Sequence, residues 1–385
     1  MTRLRPMANV MVFGDTLRSP EMRHEVPLMV PDPFLYAEVG GRRHVVVNSL
    51  EHARISEIDA TLTVHSFEEF GIDEIIASGA SRFEAVLRLM VRACHDLGVD
   101  AAAVPGGFPI ELADHLRAAG VAVAADRERF NARRRVKSAA ELAGIRRAQD
   151  SAEAGMRAAA ALLRAAQPGD GGLDADGEPL TCERVKAAID AAVSRAGGNL
   201  GDGVIVSHGA QTAIGHELGS GHIRSGEAVI IDLWPRDPDT TCFADMTRTF
   251  VVGEVPDAIR RFHELTRESL ERSREGLRAG ADATEIFGLA CEPYEREGIP
   301  TQRTKPAGEM LERGFYHSLG HGVGLEVHEA PVMGRAPDTL VAGDVVTLEP
   351  GCYEPGVGGC RLEDLVLVGE DAYETLTDFP YELEP

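Results

Sequence analysis

Read for apolar and polar positions, the chain falls into two stretches with different rhythms. In the first, FLYAEV and HVVVN between residues 34 and 48 form two short runs separated by Gly40 and Gly41. Such a pair predicts a hairpin, because glycine supplies the backbone angles that a tight turn requires. Thr61–Val64 is a third β run. Over Ser81–Leu97 the apolar positions 83, 86, 87, 90, 91 and 94 trace one helix face. Ala101–Val104 reads as a strand, Glu111–Ala119 as a helix and Val121–Ala124 as a strand. Strands interleaved with helices predict an α/β layer fold. Residues 126–138 (DRERFNARRRVKS) are charged and lack apolar periodicity, so the boundary falls here. The expected domains are 1–135 and 136–385.

Beyond the boundary the rhythm changes. Ser138 followed by Glu141 is a capping box, and it starts a helix whose stripe includes Ile145, Ala148, Ala152, Met156 and Ala159. A Gly/Asp/Pro-rich loop over 168–179 precedes a second helix, Thr181–Ala196. Strands are then expected at Gly203–Ser207, Ala228–Trp234 and Cys242–Val252, followed by helices over Asp257–Ala279 and Ala283–Glu297. Two last strands, Asp344–Tyr353 and Cys360–Val368, flank the turn EPGVGG. This region reads as two similar halves, each with helices and a strand hairpin, in an α/β (α+β) chain.

The acidic residues give the halves their chemistry. Asp232 stands in the apolar run AVIIDLW, and Asp245 returns on the next strand. Glu349 ends DVVTLE, and Glu363 sits in CRLEDLVLV. A carboxylate in an apolar strand is costly unless it is paired or bound to a cation. Between the second-half helices and strands lies FYHSLGHGVGLEVHE, residues 315–329, carrying His317, His321 and His328 among glycines 320, 322 and 324. Four carboxylates with one histidine make an oxygen-rich donor set, suited to paired Mn, Fe, Co or Zn rather than a structural zinc. The first domain shows no comparable cluster, since His24, His44, His52, His65 and His115 are dispersed, and no dinucleotide glycine fingerprint follows a strand.

Charge and cysteine usage narrow the classes. The net charge of −23 excludes nucleic acid and anionic membrane as natural partners, both of which call for positive surface. No apolar stretch approaches the roughly 20 residues of a membrane span, and the N-terminus lacks a secretion signal. The six cysteines are scattered without a Cys-x-x-Cys pair, which predicts reduced thiols and a cytoplasmic protein. Cys352 and Cys360 flank a turn, but no further Cys or His is spaced to complete a zinc site with them.

With these residues assembled, residues 136–385 resemble the pita-bread metallopeptidases: prolidase (Xaa-Pro dipeptidase), aminopeptidase P and methionine aminopeptidase. The segments ADMTRTFVVG (244–253), HSLGHGVGLEVHE (317–329), TLEPGCY (347–353) and CRLEDLVLV (360–368) carry the resemblance, in the family's order. The first domain is similar to the creatinase/prolidase N-terminal domain, which favours prolidase and aminopeptidase P. The resemblance implies a pseudo-twofold catalytic domain with two divalent metal ions, manganese foremost and Co, Zn or Fe as alternatives. It implies that Asp232 chelates one ion, that Asp245 and Glu363 bridge both, and that His321 and Glu349 complete the second. Glu349 would also handle the proton of the attacking water. His216 would contact substrate, His328 would hydrogen-bond the scissile carbonyl, His317 would line the proline pocket and Arg361 would orient Glu363. The implied substrate is a small peptide with proline second, and the implied assembly is a homodimer. His208 and His222 have no role in this scheme and are expected to be solvated.

Two departures from the family pattern concern substrate choice. The first ligand is followed by Leu233 and Trp234 instead of the usual Asp-x-Gly, and the 232–245 hairpin is longer than usual. Two other readings therefore stand beside an Xaa-Pro exopeptidase: a hydrolase of this fold acting on another amide or an ester, and a non-catalytic binding protein.

Overall fold

The structure, a computed structural model, describes residues 9–201 and 203–385. It divides into two compact units, 1–134 and 135–385.

The first unit is built on a six-stranded mixed sheet. Its strands are β1 (Asn9–Gly14), β2 (Phe34–Val39), β3 (Arg42–Val47), β4 (Leu62–Ser66), β5 (Ala101–Val104) and β6 (Ala122–Ala125), in the order β4-β3-β2-β1-β5-β6. The hairpin expected at Gly40–Gly41 joins β2 to β3 antiparallel. Both faces of the sheet are buried. Val10, Val12, Tyr36 and Val45 pack on one core, while Met11, Leu35 and Val46 pack on the other with Leu89 and Met90 of helix Arg82–Asp96. Period-two alternation along each strand produces this two-sided burial. The charged stretch after residue 126 is helical over Arg127–Arg135. Its sequence shows little apolar periodicity because Phe130 is the one large apolar side chain buried there.

The second unit repeats one plan twice. In the first half, helices Ala139–Ala165 and Cys182–Arg195 pack together, and the Ser138–Glu141 capping box forms as expected. Between them a small meander, β7 (Gln167–Pro168), β8 (Leu173–Ala175) and β9 (Glu178–Pro179), occupies the stretch expected to be loop. The helices cover an antiparallel sheet of β10 (Val204–His208), β11 (Ala228–Leu233) and β12 (Met246–Val251). In the second half, helices Asp257–Arg274 and Ala283–Arg296 cover a sheet formed by β13 (Gly320–Gly322), β14 (Glu329–Met333), β15 (Val345–Leu348), β18 (Asp364–Val368) and β19 (Tyr373–Thr375). A separate ribbon, β16 (Gly351–Glu354) and β17 (Gly358–Arg361), lies between β15 and β18 in sequence.

The halves join where β12 meets the chain at 361–363. Thr249 Oγ1 donates to the Arg361 carbonyl at 2.9 Å, and the Glu363 amide donates to the Thr247 carbonyl at 3.0 Å. Two strands expected to run continuously are broken at this seam, at Glu349–Pro350 and at Leu362–Glu363. Pro350 has no amide hydrogen for a ladder, and Glu363 has turned its own amide to Thr247. Among the described residues no helix is long and apolar enough to cross a membrane.

Candidate metal centre

The carboxylates of both halves reach a single cavity of about 830 Å³. Asp232 lies inside β11, opposite Thr247 in β12, and Asp245 stands just before β12 begins. Glu349 follows the last residue of β15, and Glu363 precedes the first of β18. Antiparallel pairing of Leu348 with Asp364 sets these two glutamates side by side. Glu363 bonds across to Thr247 of the first half, while Glu349 faces His321 of its own half.

His321 is the centre of β13, held between β14 and β15. A Cβ at Gly320 would stand 2.1 Å from the Thr347 carbonyl oxygen, and one at Gly322 would stand 2.3 Å from that of Ala330. The flanking glycines thus let the two neighbouring strands close on the histidine. Its amide donates to Thr347 Oγ1 at 3.1 Å, and its Nδ1 lies 3.2 Å from the Gly322 carbonyl, which fixes Nδ1 as the protonated nitrogen. Nε2 then faces Glu349 Oε1 at 3.4 Å and Asp245 Oδ2 at 3.8 Å.

Ligand atoms of Asp245, His321 and Glu363 lie within 4.8 Å of one another, and all three residues are buried. Burial, then repulsion from Glu363, Asp232 and Glu349, holds the Asp245 carboxyl well above its usual range. Glu363 is raised likewise by burial and by Glu349 and Asp232. Burial also acts to raise Glu349, but the hydrogen bond and charge of His321 prevail and bring it down to about 2. Like charges gathered in a buried space are held apart in energy until a cation joins them. The donor chemistry, hard carboxylates with one imidazole, therefore fits divalent metal.

Arg361, Thr247 and Tyr353 support this set. The Arg361 guanidinium donates from Nη2 to Asp232 Oδ2 at 2.5 Å, from Nη1 to Tyr353 Oη at 3.2 Å and from Nε to Thr247 Oγ1 at 3.3 Å. Thr247 Oγ1 donates to Glu363 Oε2 at 2.7 Å. Arg361, expected to orient Glu363, bonds directly to Asp232 and reaches Glu363 through Thr247. Arg361 ends β17, and its backbone is held by Thr249 Oγ1 of β12, the strand that pairs with β11. Thr247 and Tyr353 carried no distinguishing signal in the sequence, because their partners arrive across the seam.

The other histidines divide into two groups. His317 Nδ1 lies 2.8 Å from the Ser318 carbonyl, so it donates there. Nε2 then accepts from the Tyr353 hydroxyl at 2.9 Å. Burial lowers the pKa of His317. His328 meets His321 edge-to-face with ring centroids 4.2 Å apart, and it lines the cavity with His216 and Trp234. His208 and His222, expected to be solvated, are tied into the scaffold instead. His208 contacts Glu227 at 2.6 Å, and His222 contacts the Leu173 carbonyl at 2.7 Å. All six cysteines are buried free thiols. Cys352 and Cys360 face each other across β16 and β17, and burial pushes the Cys360 thiol up to about 12.

Residues 143–370 match the description "Metallopeptidase family M24". An Xaa-Pro dipeptidase of Pyrococcus furiosus is 36% identical over 181 residues, 46% of this chain and 48% of the relative. The chain therefore spans about half the length of the curated relatives it matches. A Staphylococcus aureus peptidase is 29% identical over 249 residues, covering 64% of this chain and 63% of its own. The fold is shared with an X-Pro aminopeptidase from Thermotoga maritima, with a TM-score of 0.77, 21% identity and coverage of 98% and 97% of the two chains. It is also shared with an Xaa-Pro dipeptidase from Bacillus anthracis, with a TM-score of 0.78, 21% identity and coverage of 97% and 94%.

Proposed function

Because the chain belongs to metallopeptidase family M24, we propose that it is a dinuclear-metal exopeptidase cleaving the bond before proline at the N-terminus of short peptides. The observation that carries this reading is the buried set of Asp245, His321 and Glu363, with Asp232 and Glu349 lining the same cavity. Relatives named Xaa-Pro dipeptidase supply the substrate class. Asp232, Asp245, His321, Glu349 and Glu363 would hold two divalent ions, manganese foremost, with Asp245 and Glu363 shared between them. Such ions supply a nucleophilic water at neutral pH and a polarised carbonyl.

The remaining chemistry belongs to the chain itself. Glu349 receives the proton of the attacking water. His328, exposed beside His321, donates a hydrogen bond to the scissile carbonyl as charge develops on its oxygen. His216 contacts the substrate from the facing loop. His317 has both ring nitrogens engaged, so it offers its ring as a wall for proline rather than a proton. Arg361 orients Asp232 directly and Glu363 through Thr247. The six free thiols support a reducing, cytoplasmic setting, and a homodimer completes the proposed assembly.

The test is an assay of purified protein loaded with Mn(II), against Xaa-Pro and Xaa-Pro-Yaa peptides, with metal analysis of the same sample. Cleavage before proline and about two metals per chain are expected. Cleavage of neither peptide class overturns the specificity. Trp234 in the cavity wall favours a second reading, a different amide or an ester, which the same assay extended to those substrates would reveal.

A further inference from the structure

A dipeptide and a longer peptide differ at one place that matters to this cavity. In free Xaa-Pro, the carboxylate sits on the proline itself, one residue from the scissile bond. In Xaa-Pro-Yaa, that position is a neutral amide. An enclosed site accepts a carboxylate readily only when a cation with unused donors meets it.

Among the described residues lining the cavity, Arg361 is the only arginine, and no lysine joins it. Arg361 is 5% exposed, and all three of its nitrogens are engaged, with Asp232, Tyr353 and Thr247. Turning it towards a substrate would release the Asp232 carboxylate. At the rim, Leu218 and Val332 are 56% and 49% exposed while lining the cavity. They offer apolar surface, with no donor for an anion.

Resting on the Xaa-Pro reading above, we infer that this site selects peptides that continue beyond proline and discriminates against free dipeptides. Arg361 is committed to holding Asp232, His216 and His328 are already engaged by the proposed reaction, and the other exposed side chains of the rim, Leu218 and Val332, are apolar. The neutral carbonyl of an extended peptide leaves no unpaired charge there, whereas a free dipeptide does.

The experiment compares kcat/KM of the Mn(II)-loaded protein for Ala-Pro, Ala-Pro-amide and Ala-Pro-Ala. The amide and the tripeptide should exceed the free dipeptide by at least about tenfold. A second readout avoids fast turnover without touching a metal ligand: calorimetric titration of Mn(II)-loaded His328→Ala with the same three ligands should give the same order of affinity. Equal or better use of the free dipeptide overturns the inference and leaves the Xaa-Pro reading intact. Failure to cleave any of the three overturns the Xaa-Pro reading and this inference with it. Val332→Arg places a cation at the rim and should raise the dipeptide's kcat/KM relative to its amide. A ratio that stays fixed overturns the placement of the carboxylate at that rim.

Discussion

At the residue scale, Asp245 shows how function and stability oppose each other. Its carboxylate is 5% exposed and faces Glu363, Asp232 and Glu349. Asp245→Asn keeps the shape and removes one like charge. In the metal-free protein the variant should melt at or above the wild-type temperature, by up to a few degrees. With metal offered it should bind less and lose at least about a hundredfold in activity. Differential scanning fluorimetry with and without chelator, beside metal analysis, checks both halves. A variant that melts lower without metal would show that the charge cluster does not strain the fold. Asp245 was legible in the sequence because the hairpin returns it beside Asp232, and two such carboxylates repel unless cations join them. Thr247 and Tyr353 were not, because a hydroxyl in a strand looks the same whether or not a guanidinium waits across the seam.

Elements behave as the sequence suggests wherever the pattern is local. The hairpin at Gly40–Gly41, the capped helix at Ser138 and the helix Arg82–Asp96 all depend on neighbours a few positions apart. Expectation and structure part at two breaks: β15–β16, where Pro350 has no amide hydrogen for a ladder, and β17–β18, where the Glu363 amide bonds to β12. Arg248 of β12 holds that joint. It is 1% exposed, donates to the Thr247 and Glu363 carbonyls at 2.9 and 2.7 Å, and pairs with Asp364 at 2.9 Å. Arg274 pairs with the same Asp364 from helix Asp257–Arg274. Arg248→Met leaves Asp364 one partner short, and it should cost about 3–5 kcal/mol of stability in chemical denaturation. Asp364→Asn combined with Arg248→Met should recover part of that loss. If it recovers none, the ion pair is not the source of the stability.

On the scale of the whole second unit, the C-terminal tail acts as a strap. His263 on helix Asp257–Arg274 donates from Nε2 to the Tyr381 carbonyl at 2.6 Å, and Arg248 donates to the Pro380 and Phe379 carbonyls at 2.7 and 2.8 Å. Burial lowers the pKa of His263, so the folded protein keeps it neutral where an unfolded chain would protonate it. Below the ordinary histidine value of about 6.5 the unfolded state therefore binds more protons, and stability falls as pH falls. Above that value the contribution is fully present. Melting temperatures between pH 7.5 and 5.5 should fall less in His263→Gln than in wild type, and equal slopes would remove His263 from the account.

The seam between the halves also fixes an order in time. Asp232 and Arg361 stand 129 positions apart, and Thr247 and Glu363 stand 116 apart. No fragment short of both halves holds the donor set, and closing so long a loop is slow compared with forming a helix or hairpin. Metal therefore arrives at a molecule already assembled, and it locks that molecule without guiding it there. Refolding should proceed at one rate with or without Mn(II), while unfolding slows when the ion is present. Stopped-flow traces in which the ion accelerates refolding would reverse that order.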